Sequence, residues 1–101
     1  MTPQGFPSVT HAQYCDRAAR FIDAADWPAS KLLILMETLG RGEDIHAVAH
    51  RCEVTIKEAV ETFRDMRHAM TSRDYLPMQA QVALIEALRA RCAVFKSVRV
   101  N

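Results

Sequence analysis

Apolar residues in this chain recur at steps of three and four, in five stretches separated by proline, glycine and helix-capping residues, and that spacing is the strongest constraint on its fold. A stripe repeating every 3.6 residues is one face of an α-helix, whereas a half-buried strand would alternate at every second residue. No stretch alternates convincingly, Val94 to Val100 being the one candidate, and a single short strand is not independently stable. The spacing therefore predicts an all-α fold, a compact bundle of about five helices. Gly and Pro are few and half of the residues are hydrophobic, which excludes disorder and low-complexity sequence.

Local punctuation places the helices. Residues 1–9 are rich in proline and glycine and read as a flexible N-terminal arm, with residues 10–101 as one helical domain. Thr10 followed by Gln13 forms a capping-box pattern, and Ala12, Cys15, Ala18, Ala19, Ile22 and Ala25 supply an apolar stripe behind it. Pro28 ends that run and suits the first turn of a second helix, over about 28–39, which is apolar nearly all round. Gly40 and Gly42 mark a stop and a turn, and Asp44 suits the N-cap of a short third helix carrying Ile45, Val48, Ala49 and Cys52. Thr55 with Glu58 is a second capping box and opens a fourth helix. After a break at Ser72 to Pro77, a fifth helix over 77–95 spaces Ile85, Leu88, Cys92 and Phe95 like two heptads of a coiled-coil seam.

The segment 31–70 carries the functional hint. A hydrophobic support helix leads through a glycine turn into Asp44 to Cys52, and the brief connection Glu53-Val54 enters the helix capped by Thr55. Two helices crossing closely over a short turn need a small residue at the contact, and Ala49 fills that role. Val54 followed by Thr55 matches the apolar residue and hydroxyl cap that begin a recognition helix. Residues 31–67 thus resemble the helix-turn-helix of small bacterial transcription regulators and of the promoter-reading region of sigma factors, without a full wing. Glu53 stands where that pattern usually has glycine, a turn position that often needs φ > 0. Either Ala59 or Val60 can face inward, depending on the length of the turn.

Charge bears on what such a unit would bind. DNA binders neutralise phosphates with Lys and Arg. Residues 41–73 hold six basic and six acidic side chains, a net of zero. The resemblance implies contacts to double-stranded DNA from Lys57 and Arg64, with Thr55 fixing the helix start and Arg41, Arg51 and Arg67 positioning the backbone. The acidic edge of Glu58, Glu61 and Asp65 opposes phosphate, although a carboxylate can accept from cytosine N4. A basic excess lies instead in residues 74–101, where Arg89, Arg91, Lys96 and Arg99 outnumber Asp74 and Glu86.

Two functions follow as expectations. The first is a small DNA-binding transcriptional regulator, dimeric if the fifth helix pairs with a second copy. The second is a helix-turn-helix-like antiactivator or adaptor that occupies a transcription factor by protein contact, using Glu58, Glu61, Ile85, Leu88 and Phe95. Neither needs a cofactor. Cys15, Cys52 and Cys92 lie at apolar-periodic positions with no C-x-x-C spacing, which reads as reduced core thiols. His46 and His50 are spaced to share a helix face, but a structural site wants four ligands and no cysteine is suitably placed beside them, so no metal site is expected. No serine sits in a hydrolase elbow and Gly40-Arg41-Gly42 is not a phosphate loop, so no catalytic residue and no enzyme are expected. The longest apolar run, Leu32 to Met36, is far short of the about 20 residues of a membrane span. With no secretion-signal pattern, a cytoplasmic protein is the expectation.

Overall fold

The computed structural model describes the backbone of residues 8–100 and the side chains of residues 8–93. Five α-helices follow one another: α1 (His11–Ala24), α2 (Ala29–Gly40), α3 (Ile45–Cys52), α4 (Ile56–Met70) and α5 (Met78–Val100). No strand occurs among the described residues. The segment 94–100, the one candidate strand, continues α5, so that helix extends beyond the expected end at 95. No helix among the described residues is long and apolar enough to cross a membrane. Phe95, Lys96 and Arg99 lie outside the described side chains.

Local capping chemistry sets the boundaries. Thr10 Oγ1 accepts from the Gln13 N–H at 3.1 Å while Gln13 Oε1 accepts from the Thr10 N–H at 2.8 Å, satisfying two donors that the first turn leaves over. Pro28 is the N-cap of α2 rather than a residue of its first turn, and its carbonyl receives the N–H groups of Lys31 and Leu32. Gly42 turns the chain at φ +84°, a conformation glycine adopts without a Cβ penalty. Asp44 then caps α3 by accepting from the Ala47 N–H at 3.1 Å. The 71–77 connection ends at Pro77, whose carbonyl receives the Gln81 N–H in the first turn of α5.

The helices pack as a closed ring. α1 lies on α4 and α5, α2 lies on α3 and α5, and α3 lies on α4. Leu32, Leu35, Val48, Met66, Met70, Leu84 and Leu88 are fully shielded inside, with Ala18, Ala59, Ala80 and Ala83 where backbones must approach. The core selects among the residues of the expected stripes. On α1 the buried face is Tyr14, Ala18 and Ile22, whereas Ala12 is exposed: the 14/18/22 row buries a large ring that the 12-based row cannot supply. On α4 the buried face is Ala59, Met66 and Met70, and Ile56 is 45% exposed, which settles the inward residue as Ala59. On α5, Leu88 belongs to the core of its own domain because α1 and α2 both pack on that helix. Arg17 of α1 donates to the Met70 carbonyl at 2.8 Å, tying the end of α4 to α1.

Candidate functional site

The surface around α4 is assembled from the α3–α4 turn inward. α3 ends on Glu53, which adopts the left-handed conformation at φ 58° and ψ 47°. Its reversal lets the Val54 N–H reach the Ala49 carbonyl at 3.0 Å, and Ala49 itself is buried. Glu53 therefore takes on the backbone role for which glycine is the usual residue. Thr55 follows as N-cap: its hydroxyl accepts from the Glu58 N–H at 3.0 Å, and the Glu58 carboxylate accepts from the Thr55 N–H at 2.9 Å. That backbone N–H, then the Thr55 hydroxyl, holds the Glu58 carboxyl below its ordinary range, with a smaller pull from the Lys31 charge.

The cationic candidates separate into two groups. Lys57 and Arg64 are exposed on the outer row of α4 and take part in no ion pair among the described residues. The others are already engaged. Arg51 contacts Glu43 at 2.8 Å and donates to Thr38 Oγ1 at 3.2 Å, while Arg41 meets the same carboxylate at 3.0 Å. Together the two guanidiniums, Arg51 foremost, hold the Glu43 carboxyl below its ordinary range. Arg67 donates to the Arg73 carbonyl and lies 2.9 Å from His68 Nε2. Arg41, Arg51 and Arg67 thus fasten loops of this fold.

On the other edge of α4 a groove of about 310 Å³ opens against the end of α1. Phe21, Ala25 and Trp27 form its apolar side; Glu58, Glu61 and Asp65 line the α4 wall, and Asp26 stands at the α1–α2 connection. Residues 58, 61 and 65 fall on one helix edge by their three- and four-residue spacing. None of these four carboxylates has a cationic partner within ion-pair distance among the described residues. A second, broader cleft of about 1110 Å³ lies at the far end of α4, with Tyr14, Arg17, His68, Arg73 and Tyr75 on its walls. Arg17 faces the Tyr14 ring at 5.8 Å and Arg73 the Tyr75 ring at 5.7 Å.

No family model matches this chain, and no curated protein or solved structure matches it either.

The remaining predicted residues are scattered. Ile85 is half-buried against the core and Leu88 is inside it, so neither joins Glu58 and Glu61 on a common surface. His46 and His50 are exposed, and His46 lies 3.8 Å from Asp44. Cys52 is buried, donates to the Lys31 carbonyl at 3.6 Å, and has its thiol pushed up by burial, as an unreactive core cysteine should. Phe21, Asp26 and Trp27 were not singled out from the sequence. The Asp26-Trp27-Pro28 run, holding the single tryptophan of the chain between two helices, was the available signal.

Proposed function

We propose that this protein is a helix-turn-helix-like regulatory adaptor that acts by protein contact, with the α1–α4 groove receiving a basic segment of a transcription factor. The observation that carries this reading is the set of four carboxylates, none of them in an ion pair among the described residues, that share a groove with Phe21 and Trp27. Basic side chains have apolar stems and charged ends, so an aromatic wall beside carboxylates matches both parts. DNA-binding segments are rich in Lys and Arg because they neutralise phosphate, and an acidic helix edge competes for the same groups. Occupying such a segment is how an antiactivator would silence its target.

Trp27 provides the assay. A Lys/Arg-rich peptide should change its fluorescence, a neutral peptide of equal length should not, and Glu61→Lys with Asp65→Lys should abolish the response. An unchanged spectrum on adding the basic peptide would overturn the reading.

Direct DNA binding is the second reading, favoured by the left-handed Glu53 turn and by exposed Lys57 and Arg64. It predicts a mobility shift that weakens steeply with salt and disappears in the Lys57→Ala/Arg64→Ala pair.

A further inference from the structure

In the first turns of α1, at the other end of that helix from the groove, three side chains of different chemistry converge. His11 and Cys15 are four residues apart on α1, and Glu86 reaches them from α5. His11 Nε2 lies 3.4 Å from Cys15 Sγ and 3.3 Å from Glu86 Oε1, and the three ligand atoms lie within 4.8 Å of one another. We propose that His11, Cys15 and Glu86 form a zinc-binding site that bridges α1 and α5.

Spacing is the first support. With Zn–N of about 2.0–2.1 Å, Zn–O of about 2.0–2.2 Å and Zn–S of about 2.3 Å, neighbouring ligands of a tetrahedral ion stand roughly 3.3–3.6 Å apart. Both contacts to the imidazole fall at that separation. Proton placement is the second. A neutral imidazole offers either a hydrogen or a lone pair at Nε2, not both. With the hydrogen there, Glu86 is satisfied but Cys15 finds no lone pair on Nε2 to donate to. With the lone pair there, the thiol can donate to it, but the carboxylate faces a second lone pair. A cation receives electron pairs from all three groups at once.

Ligand chemistry selects the metal. Thiolate, imidazole and carboxylate together suit zinc, whereas calcium and magnesium take oxygen ligands. Thiolate and carboxylate also balance the charge of the ion. The framework is in place without it: the Thr10–Gln13 capping box fixes the first turn of α1, and Asp23 pairs with Arg91 further along the same two helices. His11 and Glu86 are both more than half exposed, which leaves a fourth coordination position open to water or to a side chain of another molecule. The site is separate from the Phe21–Trp27 groove and does not depend on the regulatory reading.

Cobalt(II) is the probe, because a cobalt–thiolate bond gives a charge-transfer absorption that nitrogen and oxygen ligands do not. Titrated into the full-length, untagged and reduced protein, it should produce that band at one equivalent, and added zinc should remove it. Cys15→Ser should abolish the band and Cys92→Ser should leave it. His11→Ala and Glu86→Gln should each weaken binding by about tenfold or more, since even groups behind a metal ligand are worth about 10–100-fold. Zinc should raise the melting temperature of the parent and not that of Cys15→Ser. These positions are exposed or half-buried, and far-UV circular dichroism of each variant verifies that the helices are intact. Absence of the band, its persistence in Cys15→Ser, or a loss smaller than tenfold in both other variants would overturn the site.

Discussion

Replacing Glu53 with glycine should stabilise the protein, and the size of the gain follows from one dihedral angle. Glu53 sits at φ 58°, where the Cβ of an L-residue crowds its own carbonyl at a cost of roughly 1–2 kcal/mol. Glycine removes that cost but loses more backbone freedom on folding, which returns about 0.5–1 kcal/mol. Glu53 also places a carboxylate at the C-terminal end of α3, and deleting it is worth about 0.3 kcal/mol at an exposed position. The net expectation for Glu53→Gly is a gain of about 1 kcal/mol, or about 4–8 °C in melting temperature for a domain of this size. Glu53→Ala keeps the strained backbone and should change little, while Glu53→Val adds a β-branch at positive φ and should lose roughly 1 kcal/mol. Urea unfolding followed by circular dichroism measures the series, with an unchanged denaturant slope showing that only stability moved. A glycine variant no more stable than the parent, alongside a neutral valine variant, would refute the left-handed turn. The presentation of α4 after a three-residue reversal would then fail with it.

Leu88→Ala should cost about 2–5 kcal/mol irrespective of protein concentration, because the residue is buried within one chain. A loss that shrinks as concentration rises would instead place Leu88 in a seam between copies. Thr55→Ala should cost about 1 kcal/mol in the same unfolding assay, and Thr55→Ser should restore most of it by keeping the hydroxyl cap; an alanine variant as stable as the parent would refute the capping box. The Glu43 carboxyl, held below its ordinary range by Arg51 and Arg41, binds a proton more readily in the unfolded chain. Its contribution is therefore complete above the ordinary carboxylate range near about 4.3 and is lost as pH falls through the lower folded value. Glu43→Gln should be less stable than the parent at neutral pH and indistinguishable from it in strong acid, by urea midpoints at a series of pH values; a gap that persists in acid would contradict the ion-pair origin.

Helix positions were legible because their determinants are local. Each of Thr10, Asp44 and Thr55 caps a helix with its own side chain, and the partner N–H lies three residues away in sequence. Which face of each helix turns inward was less legible. α4 carries two apolar rows, one through Ile56, Val60 and Phe63 and one through Ala59, Met66 and Met70, and periodicity alone cannot rank them. The crossing with α1 and α3 decides: a shielded alanine permits close approach at the start of α4, and flexible methionines fill the remaining volume. The same ambiguity left Leu88 open between a partner surface and the core, since a seam for a second chain and a seam for one's own core have the same spacing, and its burial within one chain decides for the core. The α1–α4 groove was invisible for another reason. Its aromatic wall and its acidic wall are more than 30 residues apart, and only the ring closure brings them together.

That closure also bears on the choice between phosphate and protein as the object of α4. Helical geometry sets Lys57, Arg64 and His68 on the outer row with Glu58, Glu61 and Asp65 beside it, and Glu61, four residues after Lys57 and three before Arg64, lies about 5–6 Å from each between Cβ atoms. The Debye length at physiological salt is about 8 Å, and charges this close are not screened from one another. A phosphate approaching Lys57 or Arg64 therefore meets the acidic edge at the same time, and the two fields largely cancel. A cationic side chain entering beside Trp27 comes from the acidic side and meets Asp26 as well. Four carboxylates then act together against the two outer cations. The charges of α4 sum to nearly nothing, but the groove gathers the acidic ones on one edge, and the proposed docking of a basic protein segment rests on that division.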